Sequence, residues 1–131
     1  MPRPSSVRDA VADLLRRGGR HAWSIEELHR ELIASGRRAD QSSVFRAVTY
    51  LHDRGQLVRV VVDGKARYEV ASPHHDHVRC EGCGALAPLP GCVLEGLEHL
   101  EPEVKAGTGF AVTGHQLVLT GRCPRCQRDG R

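Results

Sequence analysis

Val7, Ala10, Val11, Leu14 and Leu15 recur at intervals of three and four, which places them on one face of a helix that Gly18-Gly19 ends. Ser24 followed by Glu27 has the form of a capping box, and Ile25, Leu28, Leu32 and Ile33 supply the apolar stripe of a second helix running to Gly36. A third helix is predicted from near Asp40 to Gly55, turning Val44, Ala47, Val48 and Leu51 inward. The pattern then changes. Leu57–Val62 and Ala66–Val70 are β-rich runs on either side of Asp63-Gly64, a two-residue hairpin signal. Three short helices followed by a hairpin predict a winged helix-turn-helix.

Beyond Pro73 the texture differs. Ala85–Leu89 suits a strand, which Pro88 and Pro90 confine to a sheet edge. Val93, Leu97, Leu100 and Val104 predict an amphipathic helix over Val93–Ala106, with Pro102 as a kink, and Phe110–Thr120 is strand-rich. The expected class is α+β: a winged helix over residues 1–71 and a small α/β module over residues 72–131.

Composition adds a constraint. Only 4% of the 131 residues are aromatic, and two small aromatic-poor units need a metal, a disulfide or a partner subunit to supplement their cores. Residues 1–70 carry 13 Lys/Arg against 9 Asp/Glu, whereas residues 71–131 carry 6 against 7, so the first half is the expected contact for a polyanion. There is no apolar run of about 18 residues and no signal-peptide pattern at Met1-Pro2-Arg3-Pro4. A cytoplasmic protein without a membrane segment is expected, and in a reducing compartment five cysteines point to metal before disulfides.

Four of those cysteines form two CxxC pairs, Cys80/Cys83 and Cys123/Cys126, separated by 39 residues. Each such turn presents two thiolates to one cation, so together they predict a closed tetrahedral structural Zn²⁺ site. Cys92 is left over and reads as a small apolar residue. His74-His75-Asp76-His77 lies just before the first pair. If extended, it turns His75 and His77 to one side and His74 and Asp76 to the other, feeding two metal sites. Glu69, Glu95, His99 and His115 are candidate partners, and imidazole with carboxylate suits Fe²⁺, Mn²⁺ or Zn²⁺. On the third helix the inward residues leave Ser42, Phe45, Arg46 and Thr49 outside; Arg can reach a guanine edge or a phosphate and Phe a thymine methyl. Arg59, Lys65 and Arg67 on the hairpin are expected phosphate contacts.

With Ser43-Val44-Phe45-Arg46, HHDH at 74–77, both CxxC pairs, and Gly114-His115 eight residues before Cys123, the chain resembles the ferric uptake regulator superfamily over almost its whole length. The resemblance implies a homodimeric, metal-responsive repressor of a palindromic DNA operator, controlling metal-ion uptake or homeostasis. By position, it makes Cys80, Cys83, Cys123 and Cys126 the structural zinc ligands and assigns Glu69, His75 and His77 to a regulatory site at the hinge. It assigns His74, Asp76, Glu95 and His115 to a second site, Glu95 lying 12 residues after Cys83. The chain departs from the family pattern in places. Phe45 replaces a frequent Tyr, Val7 a usual Gln, and His21, one residue from the sensor ligand expected before the second helix, is the candidate to complete the regulatory site. Val70-Ala71 stands where the zinc-uptake subgroup has Cys, and Arg59 where it has Asp, which favours Fe²⁺ or Mn²⁺ over Zn²⁺ as the regulatory metal. Glu69 in place of Asp ranks a peroxide-responsive regulator lower. A zinc enzyme is a further alternative, since His29-Arg30-Glu31 matches part of a deaminase signature; however, no proline precedes Cys80 or Cys123, and a Cys₄ site leaves no position for water. A zinc-ribbon adaptor would leave HHDH and the outer face of the third helix without a role.

Overall fold

In the computed structural model the described residues are 6–17, 19–95 and 100–130. They fall into two units, Met1–Ser72 and Pro73–Arg131, each considered by itself. In the first, α1 (Val7–Arg17), α2 (Ile25–Ala34) and α3 (Gln41–Asp53) precede the antiparallel hairpin of β1 (Leu57–Val62) and β2 (Lys65–Val70). The helix starts follow local chemistry. The Ser24 hydroxyl accepts from the Glu27 N–H while the Glu27 carboxylate accepts from the Ser24 N–H, and Asp40 accepts from the Ser43 N–H. Asp63 and Gly64 both take positive φ, 54° and 74°, which the two-residue turn requires. Trp23 exchanges two backbone hydrogen bonds with Tyr68, at 2.8 and 2.7 Å, tying the segment before α2 to the hairpin. Val11, Leu28, Val44 and Val48 are fully buried at the centre of a core that also takes in Leu15, Leu32, Leu51, Leu57 and Tyr68.

In the second unit β3 (His77–Cys80) is central, antiparallel to β4 (Leu86–Pro88) and parallel to β5 (Val118–Gly121). The two helices are α4 (Leu100–Thr108) and α5 (Pro124–Asp129). Two expectations are corrected here. The helix expected over Val93–Ala106 is described only from Leu100 and runs on to Thr108, where Gly109 (φ 80°) ends it. Val93 lies in a turn, its N–H donating to the Asp76 carboxylate; residues 96–99, including Leu97 and the candidate ligand His99, lie outside the described residues. Of the strand-rich run Phe110–Thr120, only the part from Val118 is strand. A strand needs a ladder partner, and within the chain β3 provides one only from Val118 onward.

The two units differ in what they bury. Among the described residues of the second, those almost fully enclosed are Asp76, His77, Cys80 and Cys126, every one a metal-ligand type and none an ordinary apolar core residue. No helix among the described residues is long and apolar enough to cross a membrane.

Candidate metal centres and nucleic-acid interface

Cys80 ends β3, and Cys83 follows in the turn that Gly84 closes at φ 79°. Cys123 caps α5, its sulfur accepting from the Cys126 N–H at 3.4 Å, and Pro124 opens the helix where an N–H is dispensable. The parallel pairing of β3 with β5 brings these two turns together: all four sulfurs lie within 4.8 Å of one another. Cys83 and Cys123 are 3.9 Å apart. That is close to the edge of about 3.8 Å for a tetrahedron with Zn–S bonds of about 2.3 Å, and far from the roughly 2.05 Å of a disulfide. N–H groups of Cys123 and Cys83 hold the Cys80 thiol down to about 6, whereas burial and the neighbouring sulfurs push Cys126 up to about 12. Four sulfurs at tetrahedral spacing leave no position for water and make a closed site. The donor set fits zinc.

His74, Asp76 and His115 converge in the second unit. His115 Nε2 is 3.0 Å from His74 Nε2 and 3.5 Å from Asp76 Oδ1, and His74 Nε2 is 3.4 Å from the same oxygen. Asp76 is 1% exposed. Burial alone would raise its carboxyl pKa, but the Val93 N–H and the two imidazoles outweigh it and hold the carboxyl below the usual range. Glu95, expected as the fourth member, is exposed and outside this group. In its place stands Cys92, with its sulfur 3.3 Å from His115 Nε2. Sequence reasoning missed Cys92 because a lone cysteine has no spacing to announce it.

Each unit also contributes a pair to the candidate hinge ligands. In the first, the buried Glu69 carboxylate meets His21 Nε2, which the Trp23–Tyr68 pairing carries to the end of β2. In the second, His75 and His77 have ring centroids 4.7 Å apart, and His77 is buried where β3 begins. His75 Nδ1 lies 3.0 Å from the Pro73 carbonyl oxygen.

On α3, Val44, Ala47, Val48 and Leu51 are buried while Ser42, Phe45, Arg46 and Thr49 are exposed. Phe45 is 55% exposed on this face. Arg46 Nη2 donates to Ser43 Oγ at 3.2 Å, and one open groove is lined by Ser42, Phe45, Arg46 and Lys65. Lys65 and Arg67 share one face of the hairpin, but Arg59 stands opposite Tyr68 and so belongs to the other. The three expected phosphate contacts therefore do not form one row.

Known proteins resemble this chain along most of its length. The family model described as "Ferric uptake regulator family" matches residues 3–120. A ferric uptake regulation protein of Bordetella parapertussis is 31% identical over 120 residues, covering 90% of this chain and 84% of its own. The structure of the Vibrio cholerae ferric uptake regulator superposes with a TM-score of 0.69 at 28% identity, covering 89% of this chain and 88% of that one. The Helicobacter pylori regulator, whose structure is described as revealing three functional metal binding sites, gives 0.70 at 25%, covering 92% and 79%. The α+β architecture, the cysteine cluster and a match spanning both units agree, and the chain belongs to the ferric uptake regulator family of transcriptional regulators, which are not enzymes.

Proposed function

We propose that this metal-responsive regulator is a repressor that binds a palindromic operator as a homodimer in the cytoplasm when a regulatory cation, Fe²⁺ or Mn²⁺ in preference to Zn²⁺, is held by Glu69, His21, His75 and His77. The observation that carries the reading is the pair of buried ligand residues flanking the boundary between units: Glu69 at the end of β2 and His77 at the start of β3. Carboxylate and imidazole without thiolate suit Fe²⁺, Mn²⁺ or Zn²⁺, and the preference for the first two comes from Val70-Ala71 and Arg59 standing where the zinc-uptake subgroup has Cys and Asp. A cation bound there would supply the charge that lets these ligands converge. Glu69 and His21 belong to the winged helix, and His75 and His77 to the module that follows. Shared ligation would therefore restrict the segment Val70–His74 and narrow the spread of separations between the two α3 helices of a dimer. A two-fold operator demands one such separation. The coupling requires tighter metal binding in the competent geometry, and a tenfold gain in DNA affinity needs only about 1.4 kcal/mol of that preference.

The test titrates operator DNA at rising Mn²⁺ with zinc retained in the cysteine site. His77→Ala should lose the metal-stimulated gain while keeping its zinc content, dimerisation and weak nonspecific DNA binding. A response equal to that of the unmodified chain would remove His77 from the regulatory site.

A further inference from the structure

The cluster around His115 has a donor that neither the sequence pattern nor the comparisons assign. A single ring nitrogen carries one proton or one lone pair, so it can satisfy only one neighbour at a time. His115 Nε2 faces three: the His74 nitrogen at 3.0 Å, the Cys92 sulfur at 3.3 Å and Asp76 Oδ1 at 3.5 Å. Asp76 Oδ1 is itself buried without a hydrogen-bond partner, although its sister oxygen accepts from the Val93 N–H at 2.6 Å. A nearly inaccessible carboxylate oxygen that makes no hydrogen bond and only long ion-pair contacts with two imidazoles, at 3.4 and 3.5 Å, is costly unless a cation completes it. The four ligand atoms all lie within 4.8 Å of one another.

Backbone geometry explains why Cys92 is present and Glu95 is not. The Asp76 N–H donates to the Gly91 carbonyl at 3.2 Å, and the Asp76 carbonyl accepts from the Leu89 N–H at 2.8 Å. With the Val93 N–H on the carboxylate as well, the 89–93 turn is laced to Asp76 from both sides, and this delivers the Cys92 side chain into the cluster. The next turn, closed by the Glu95 N–H on the Cys92 carbonyl, carries Glu95 to an exposed position.

We propose that His74, Asp76, Cys92 and His115 form a thiolate-bearing site for a zinc-class divalent cation, with Cys92 taking the ligand position that the family resemblance gives to Glu95. Two imidazoles, one carboxylate and one thiolate make a four-donor set whose two negative charges match a divalent ion. The thiolate biases the site toward Zn²⁺ or Co²⁺ and away from the harder Mn²⁺. This proposal rests on reading the cluster as a metal site and is independent of the hinge ligands.

Cobalt is the probe, because a thiolate on Co²⁺ gives charge-transfer absorption in the near ultraviolet and imidazole or carboxylate does not. The full-length dimer is prepared with zinc in the Cys80/Cys83/Cys123/Cys126 site and titrated with Co²⁺ while zinc release is measured. The unmodified chain and Glu95→Gln should both develop the band without losing zinc. Cys92→Ser should lack it and bind Co²⁺ at this site at least roughly tenfold more weakly, a loss that even an outer-shell partner typically causes. Alkylation gives a second readout. Cys92 should react in the zinc-only protein, become protected on adding Co²⁺, and stay reactive in His115→Ala. An absent band, a band unchanged in Cys92→Ser, or alkylation of Cys92 undiminished by Co²⁺ would each overturn the assignment. Failure of Cys92→Ser alone to differ, with Co²⁺ still bound and lost on Glu95→Gln, would restore Glu95 as the ligand and leave the hinge reading untouched.

Discussion

Arg46 and Phe45 occupy consecutive outward positions on α3 and share a groove with Lys65, so chemistry at this surface rests on a few side chains. Arg46 Nη2 donates to Ser43 Oγ at 3.2 Å and feels the Asp40 carboxylate, a light tether for a side chain with five donors. If Arg46 reads a base edge, Arg46→Ala should weaken specific operator binding by about 1–3 kcal/mol and relax the preference at one position. Phe45→Ala should reduce discrimination at a thymine, since its loss removes an apolar contact and no charge. Footprinting of both variants on the same duplex checks the pair. Unchanged footprints would take α3 out of the reader role. At this scale the outward set Ser42, Phe45, Arg46 and Thr49 was legible, because burying Val44, Ala47, Val48 and Leu51 leaves a helix no other face to expose. Cys92 was not legible, because its neighbours arrive from positions 74, 76 and 115.

At the scale of elements, α2 depends most visibly on its first turn. Ser24 and Glu27 satisfy each other's backbone N–H groups at 2.9 and 3.1 Å, and Arg20 pairs with the same carboxylate. Ser24→Ala should destabilise the first unit by about 1 kcal/mol, measured as a lowered urea midpoint. Burial works to raise the Glu27 carboxyl pKa, but the Ser24 N–H, Arg20, the Ser24 hydroxyl and Arg67 outweigh it, so the folded value lies below the ordinary one. The ionised cap contributes fully above the unfolded glutamate range, and the contribution fades as pH falls through the lowered value. The advantage of the unmodified chain over Glu27→Gln should shrink in the same window. Capping, hairpin and apolar stripes are short-range features, which is why α1 to β2 followed so closely from periodicity. The run Phe110–Thr120 could not be read this way, since its β-propensity is realised only where β3 offers a parallel edge.

For the whole molecule, the contrast in burial governs stability. The first unit has a continuous apolar core centred on Val11, Leu28, Val44 and Val48, whereas the second encloses Asp76, His77, Cys80 and Cys126. Zinc binding there should contribute folding free energy directly, as in other small metal-supported domains. Cys126→Ser, or exhaustive chelation of the unmodified chain, should release zinc and collapse the amide dispersion of residues 73–131 while residues 6–72 keep their helical signals. Paired zinc quantification and heteronuclear spectra make the comparison. Because the His115 cluster is itself proposed to take zinc, the comparison is made in the Cys92→Ser background, where one zinc retained per chain and an intact dimer after Cys126→Ser would refute the four-cysteine assignment.

Read as a string, the chain already carried its helices, its hairpin, its two CxxC turns and the alternation of HHDH, because each depends on residues within a few positions of one another. Its family was legible for the same reason: the motifs that carry the resemblance are local clusters at set spacings. What folding alone settled is which distant residues meet. The parallel β3–β5 pairing joins Cys80 and Cys83 to Cys123 and Cys126. The lacing of Asp76 to the 89–93 turn places Cys92, and not Glu95, against His74 and His115. Such convergence is fixed by backbone hydrogen bonds between remote segments, and no periodicity along the chain records them.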